Sequence, residues 1–111
     1  MTFKTGAQVP HPVDTLVGRP WELALAPFQV APRTYYVSGQ RWVGAYLVDA
    51  GAELVLVDAG PAESLYLLLD AIWQLGFDPH RIGKIFVSHA HFDHCGAVAQ
   101  LRALTGAEVW M

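Results

Sequence analysis

Three of the five histidines in this 111-residue chain fall within six consecutive positions, His89-Ala90-His91-Phe92-Asp93-His94, with an aspartate among them. That spacing restricts what the chain can fold into. Along an extended backbone, residues two apart point the same way, so His89, His91 and Asp93 share a side if they continue a strand. On a helix, positions two apart diverge and the set could not chelate. His94 joins the others only where the chain turns into a helix. The cluster therefore calls for a strand, a loop and a helix in that order, and its flanks supply them. "KIFVS" at 84–88 reads as a short buried strand. "GAVAQLRALTG" at 96–106 reads as a helix, with Val98, Leu101 and Leu104 on one side and Gly106 as its stop.

Imidazole nitrogens and carboxylate oxygens hold zinc at about 2.0–2.2 Å. Four donors this close in sequence crowd a single ion. Two ions about 3.5–4 Å apart relieve the crowding, with His89 and His91 on one, and Asp93 and His94 on the other. Such a pair lowers the pKa of a water between them to about 7. Loop histidines without a chemical role are common singly, but not as four potential ligands in this register.

The remainder divides into an arm, residues 1–33, and a domain, residues 34–111. The arm carries Pro10, Pro12, Pro20, Pro27 and Pro32 and is expected to lie irregularly on the domain, anchored by Trp21, Leu23, Leu25 and Phe28. From Thr34, "TYYVSG" predicts a strand ending at Gly39. "RWVGAYLVDAGAELVLVD" predicts strands over 42–48 and 53–58 joined by a turn at Gly51. The second strand is almost wholly aliphatic, which predicts burial on both faces. "PAESLYLLLDAIWQLG" repeats apolar residues at helical spacing, Leu65, Leu68, Leu69, Ile72, Trp73 and Leu75, which places Trp73 in the core. "DPHRIG" is a turn and "AEVWM" begins a further strand. The order predicts an α/β fold with a mixed sheet, helices on one face, and the cluster just past the carboxyl end of a strand.

Composition narrows the function. The chain is 53% hydrophobic and 15% charged, with a net charge of -3 and seven Lys+Arg spread singly. Scattered basic residues do not suit a phosphate backbone, so no nucleic-acid partner is expected. No apolar run approaches the ~18 residues of a membrane span. The single cysteine, Cys95, fits a reducing compartment, and "MTFKTGAQVPHPVD" shows no signal-peptide core, so a cytoplasmic location is expected. Cys95 reads as a small packing residue at a helix start. The excess apolar surface must be buried in a core or against another protein segment, and self-association is one route.

Together, His89-Ala90-His91-Phe92-Asp93-His94 and "LVLVDAG" at 54–60 resemble the metallo-β-lactamase superfamily, with its His-x-His-x-Asp-His signature and an earlier strand ending in Asp-x-Gly. The resemblance runs from about Thr34 to Met111. "APFQVAPRTYYVSG" and "TGAEVW" resemble β-lactamases of the third subclass. It implies the N-terminal half of a four-layer αββα fold, whose second half supplies a facing sheet. It also implies that His89 and His91 hold one metal, and Asp93 and His94 a second. Asp58 would steady the metal-bearing loop from outside the metal ligands, or cap the following helix. Trp42, at the head of the first hairpin, would be the groove-lining candidate among the tryptophans.

The activity so implied is that of a zinc-dependent hydrolase acting on a small-molecule lactam, lactone or thioester, with Asp93 orienting the nucleophile or shuttling a proton. The family completes its site with a histidine, an acid and a last histidine from later segments. His11 and His80 do not match those positions and are expected to be solvent-exposed. The chain thus reads as an incomplete domain. Mononuclear iron chemistry on the same ligands, or a non-catalytic piece needing a complementing segment, are the alternatives.

Overall fold

Short runs of aromatic, β-branched and aliphatic residues between turn-forming residues make the strands of this protein. The computed structural model describes residues 18–88 and 95–111. Strands β1 (Phe28–Ala31), β2 (Thr34–Tyr36), β3 (Tyr46–Asp49), β4 (Leu54–Val57), β5 (Ile82–Phe86) and β6 (Glu108–Trp110) form one sheet in sequence order. The first four pair antiparallel, while β4–β5 and β5–β6 pair parallel. A parallel pair needs a crossover connection. Helix α1 (Leu65–Gln74) supplies the first and α2 (Val98–Thr105) lies within the second.

The period of a strand sorts side chains onto two faces. Tyr35, Leu47, Leu56, Ile85 and Val109 are successive cross-strand neighbours in one row. They point to the helices: Leu47, Leu56 and Ile85 are fully buried in a cluster with Leu68 and Ile72 of α1 and Leu101 of α2. Each such side chain contributes about 1.5–3 kcal/mol by leaving water. The mixed α/β sheet with its helices on one face is the arrangement the sequence predicts.

Several expectations are corrected. Strand β4 is not buried on both faces: Leu54 and Leu56 are buried, whereas Val55 and Val57 are half-buried on the side without helices. Trp73 is not core but 55% exposed. It lies five residues past Leu68, which at 3.6 residues per turn is about 140° around the helix. The arc that meets the sheet is Leu68, Ala71 and Ile72. Leu104 is likewise exposed, at the rim of the stripe centred on buried Leu101. Part of the expected arm is ordered as β1, hydrogen-bonded to β2. Strand β3 starts at Tyr46 rather than 42, because the preceding loop closes on a side chain described below. Gly76 and Gly106 follow the two helices with positive φ, Gly106 where the sequence predicts a helix stop.

Candidate metal centre

Strands β4 and β5 end side by side, Val57 opposite Phe86. Immediately beyond, the chain bends sharply at Asp58, whose φ of 63° is left-handed, and again at Gly60, φ 74°. Aspartate tolerates that conformation better than most residues, and glycine adopts it freely. The bend lets Asp58 N–H donate to Phe86 O at 2.7 Å. It also turns the carboxylate onto Ser88, where Oδ1 accepts from the backbone N–H at 2.8 Å and Oδ2 from Oγ at 2.9 Å. Asp58 is only 8% exposed. A carboxylate so withdrawn from water is stable only when donors satisfy it, and a charged acceptor makes each bond stronger than a neutral pair.

Two residues on, Gly60 O accepts from Ala97 N–H at 3.0 Å. The three residues Asp58-Ala59-Gly60 therefore grip the chain on both sides of segment 89–94, at Ser88 before it and at Ala97 after it. His89, His91, Asp93 and His94 themselves lie outside the described residues. Among the described residues no group of three or more His, Cys, Asp or Glu is arranged to hold a metal ion. Asp58 does not cap a helix: the turn at Ala62–Ser64 is preceded by Pro61 and has no side-chain cap bond.

The loop between β2 and β3 reaches the same end of the sheet, since β3 runs antiparallel to β4 and starts opposite Val57. The loop is closed by Gln40, which is fully buried. Its Oε1 accepts from Trp42 N–H at 2.7 Å and Val43 N–H at 2.9 Å, and its Nε2 donates to Val43 O at 2.8 Å. Tyr36 and Ser38 hydroxyls both donate to its carbonyl. Gly39 (φ 75°) lies so near the backbone of Leu67 in α1 that a Cβ there would collide with it. Trp42 is thus presented, 39% exposed, on a braced loop at the carboxyl ends of β4 and β5.

His80 lies elsewhere, exposed beside Asp78, whose carboxylate accepts from its backbone N–H and ring at 2.9 Å. The first of these bonds is the main reason the Asp78 carboxyl is held below the usual carboxylate range. His11 lies outside the described residues. Cys95 is half-buried against the core.

Ser88 and Gln40 were not singled out by sequence. A signal existed for Ser88: neighbouring strands end in Val-Asp at 57–58 and Val-Ser at 87–88, an acceptor facing a donor. Nothing in the sequence marks Gln40, one polar residue in a polar turn.

Three imidazoles and a carboxylate in six residues form a nitrogen–oxygen donor set that suits zinc and other divalent first-row metals. Known proteins resemble this chain over much of its length. The family model of the metallo-β-lactamase superfamily matches residues 43–111. A hydroxyacylglutathione hydrolase of Albidiferax ferrireducens is 35% identical over 82 residues, 74% of this chain and 28% of that protein. Among solved structures, BJP-1, a subclass B3 metallo-β-lactamase of Bradyrhizobium japonicum, superposes with a TM-score of 0.77 at 33% identity, covering 82% of this chain and 34% of that one. MIM-1 from Novosphingobium pentaromativorans gives 0.75 at 39% identity, covering 85% and 34%. The chain spans about a third or less of the length of these relatives. With a family match over most of its residues and a sheet that superposes on solved members, this chain belongs to the metallo-β-lactamase superfamily.

Proposed function

We propose that this chain carries the metal-gripping segment of a zinc-dependent hydrolase that opens an activated carbonyl compound. One observation carries the reading: a three-residue turn with a buried carboxylate ties down both flanks of a six-residue segment that holds three histidines and an aspartate. Such outer bonds fix the orientation of metal ligands in general.

In this reading His89 and His91 hold one ion, and Asp93 and His94 the second. Zinc bound there supplies Lewis acidity to the carbonyl and makes hydroxide available near neutral pH. The Asp93 carboxylate accepts a proton or orients the attacking oxygen. Asp58 acts as a positioning residue through Ser88. Trp42 forms one wall of the substrate groove, held in place by Gln40. The relatives are a hydroxyacylglutathione hydrolase and β-lactamases, which makes thioester and lactam the first bonds to test, with lactones beside them.

Four donors give each of two ions two protein ligands, where a catalytic zinc uses three. Turnover by these 111 residues alone is therefore expected to be slow. The test is metal analysis of protein purified without chelator, followed by a chromogenic lactam, lactone and thioester panel. Zinc, with hydrolysis that disappears in Asp93→Ala, supports the proposal. Stoichiometric iron without zinc would replace it with iron redox chemistry on the same ligands.

A further inference from the structure

The loop that carries Trp42 is held from two sides. On one side the Gln40 side chain accepts from the Trp42 and Val43 N–H groups. On the other, the arm runs beside the loop as a short antiparallel ladder. Ala24 bridges Gln40, Leu25 N–H donates to Gly39 O at 2.9 Å, and Arg41 N–H donates to Leu23 O at 2.8 Å. The Arg41 guanidinium adds a bond to Ala24 O at 3.2 Å, across 17 residues of chain. The N–H groups of residues 41, 42 and 43 are thereby fixed in succession, the first by the arm and the next two by Gln40.

The arm makes these bonds while adding little to the core. From Trp21 to Ala26 no residue is buried, and Leu23 and Leu25 are half-buried at most. Apolar burial is the dominant favourable term in folding, so this segment contributes little by that route. The loop also closes without it, through the bonds of Gln40 and the seating of Gly39 on the backbone of Leu67. What the arm adds is direction, because its backbone bonds fall on Gly39 and Arg41, just ahead of Trp42.

We propose that the arm segment Leu23–Leu25 determines substrate specificity through this loop, with Arg41 as the positioning residue. The segment holds the Trp42 indole, 39% exposed, as a rigid face for a flat apolar substituent beside the reacting carbonyl. A ring oriented before binding loses little freedom on contact, so a substituent that fits it gains affinity and one that does not gains nothing. The specificity rests on the hydrolase reading of the site, whereas the brace rests only on the bonds of arm and loop.

The test uses two variants of the whole chain. Leu25→Pro deletes the N–H whose bond Gly39 O accepts, and Ala24, at φ -55° and ψ 139°, already has the backbone that suits a residue before proline. Arg41→Met removes the exposed guanidinium bond and carries the test if circular dichroism shows Leu25→Pro misfolded. Hydrogen exchange at the Trp42 N–H should speed up in both. The zinc-loaded protein is then given two lactams that differ only in a phenyl or a methyl substituent. Affinity is read as KM or, where there is no turnover, as a calorimetric Kd. Leu25→Pro should weaken the phenyl compound about two- to tenfold, as loss of an aromatic pair does, and Arg41→Met less. The methyl compound and kcat should not change. Arg19→Met, which breaks an ion pair within the arm, should alter neither exchange nor affinity. Faster exchange with an unchanged phenyl preference would overturn the proposal. So would exchange that stays as in wild type, or an equal loss for both compounds. A phenyl preference that follows the brace without any turnover would support the proposal and sink the hydrolase reading.

Discussion

At the carboxyl ends of β4 and β5 the chain is held by withdrawn bonds, Asp58 to Ser88 and Gly60 to Ala97. At the opposite end it is held by surface charges. Lys84 pairs with Glu53, Arg33 with Asp49 at 3.7 Å, and Arg81 donates to Gly51 O at 2.9 Å. Water screens the second kind of contact, and such pairs usually contribute little. The first kind places a carboxylate in left-handed backbone, an arrangement that is unfavourable until its donors arrive. A strand can turn into a helix without that device. Its presence at one end shows where this fold is specified most tightly, and that is the end at which the histidine cluster begins.

Replacing Asp58 should break the contrast most severely. Asp58→Ala leaves the Ser88 N–H and hydroxyl without their acceptor, which should cost about 1–3 kcal/mol in urea unfolding. Metal affinity, read by competition with a chromophoric chelator, should fall about 10–100-fold. Asp58→Asn keeps an acceptor oxygen and should recover part of both losses. Ser88→Ala removes the hydroxyl's bonds to the Asp58 carboxylate while the backbone N–H bond stays, and should cost about 1 kcal/mol, with a smaller change in metal affinity.

At the far end, Lys84→Met should move the unfolding midpoint less than Ser88→Ala and leave metal affinity unchanged. The bond that Lys84 donates to the Glu53 carboxylate raises the Lys84 pKa above its ordinary 10.5. Its contribution is therefore fully present below that value and lost as pH rises through the raised one, so wild type and variant should converge only in strong alkali. The smallest effect belongs to Asp78→Ala. The Asp78 pKa is lowered from 3.8, chiefly by the His80 backbone N–H. Its contribution is present above that value and lost as pH falls through the depressed one. The variant's lower midpoint at neutral pH should merge with wild type in strong acid.

The α/β order and the helix stop at Gly106 were legible because period and punctuation are local signals. Burial was less so. An all-aliphatic β4 reads the same whether one face or both are covered, and only the sheet's neighbours decide that Val55 and Val57 stay half-open. Trp73 looked buried because its spacing from Leu69 is helical, but a stripe has a width and Trp73 falls beyond it. The resemblance implied a steadying role for Asp58 but not the partner through which it acts. Its partner sits 30 positions away, and pairing at that separation is set by strand register, which no local pattern encodes. Gln40 was hidden for the same reason in reverse, since every bond of its side chain is made within three residues and looks like any polar turn.

The account rests on segment 89–94 taking up divalent metal because the Asp58 turn holds its flanks. Cobalt(II) titration followed by visible absorption tests this directly on the 111-residue chain. The expected result is a saturable spectrum with nitrogen ligation that disappears in His89→Ala and His91→Ala and weakens in Asp58→Ala. A chain that takes up no cobalt, or takes it up equally well without those two histidines, would contradict it.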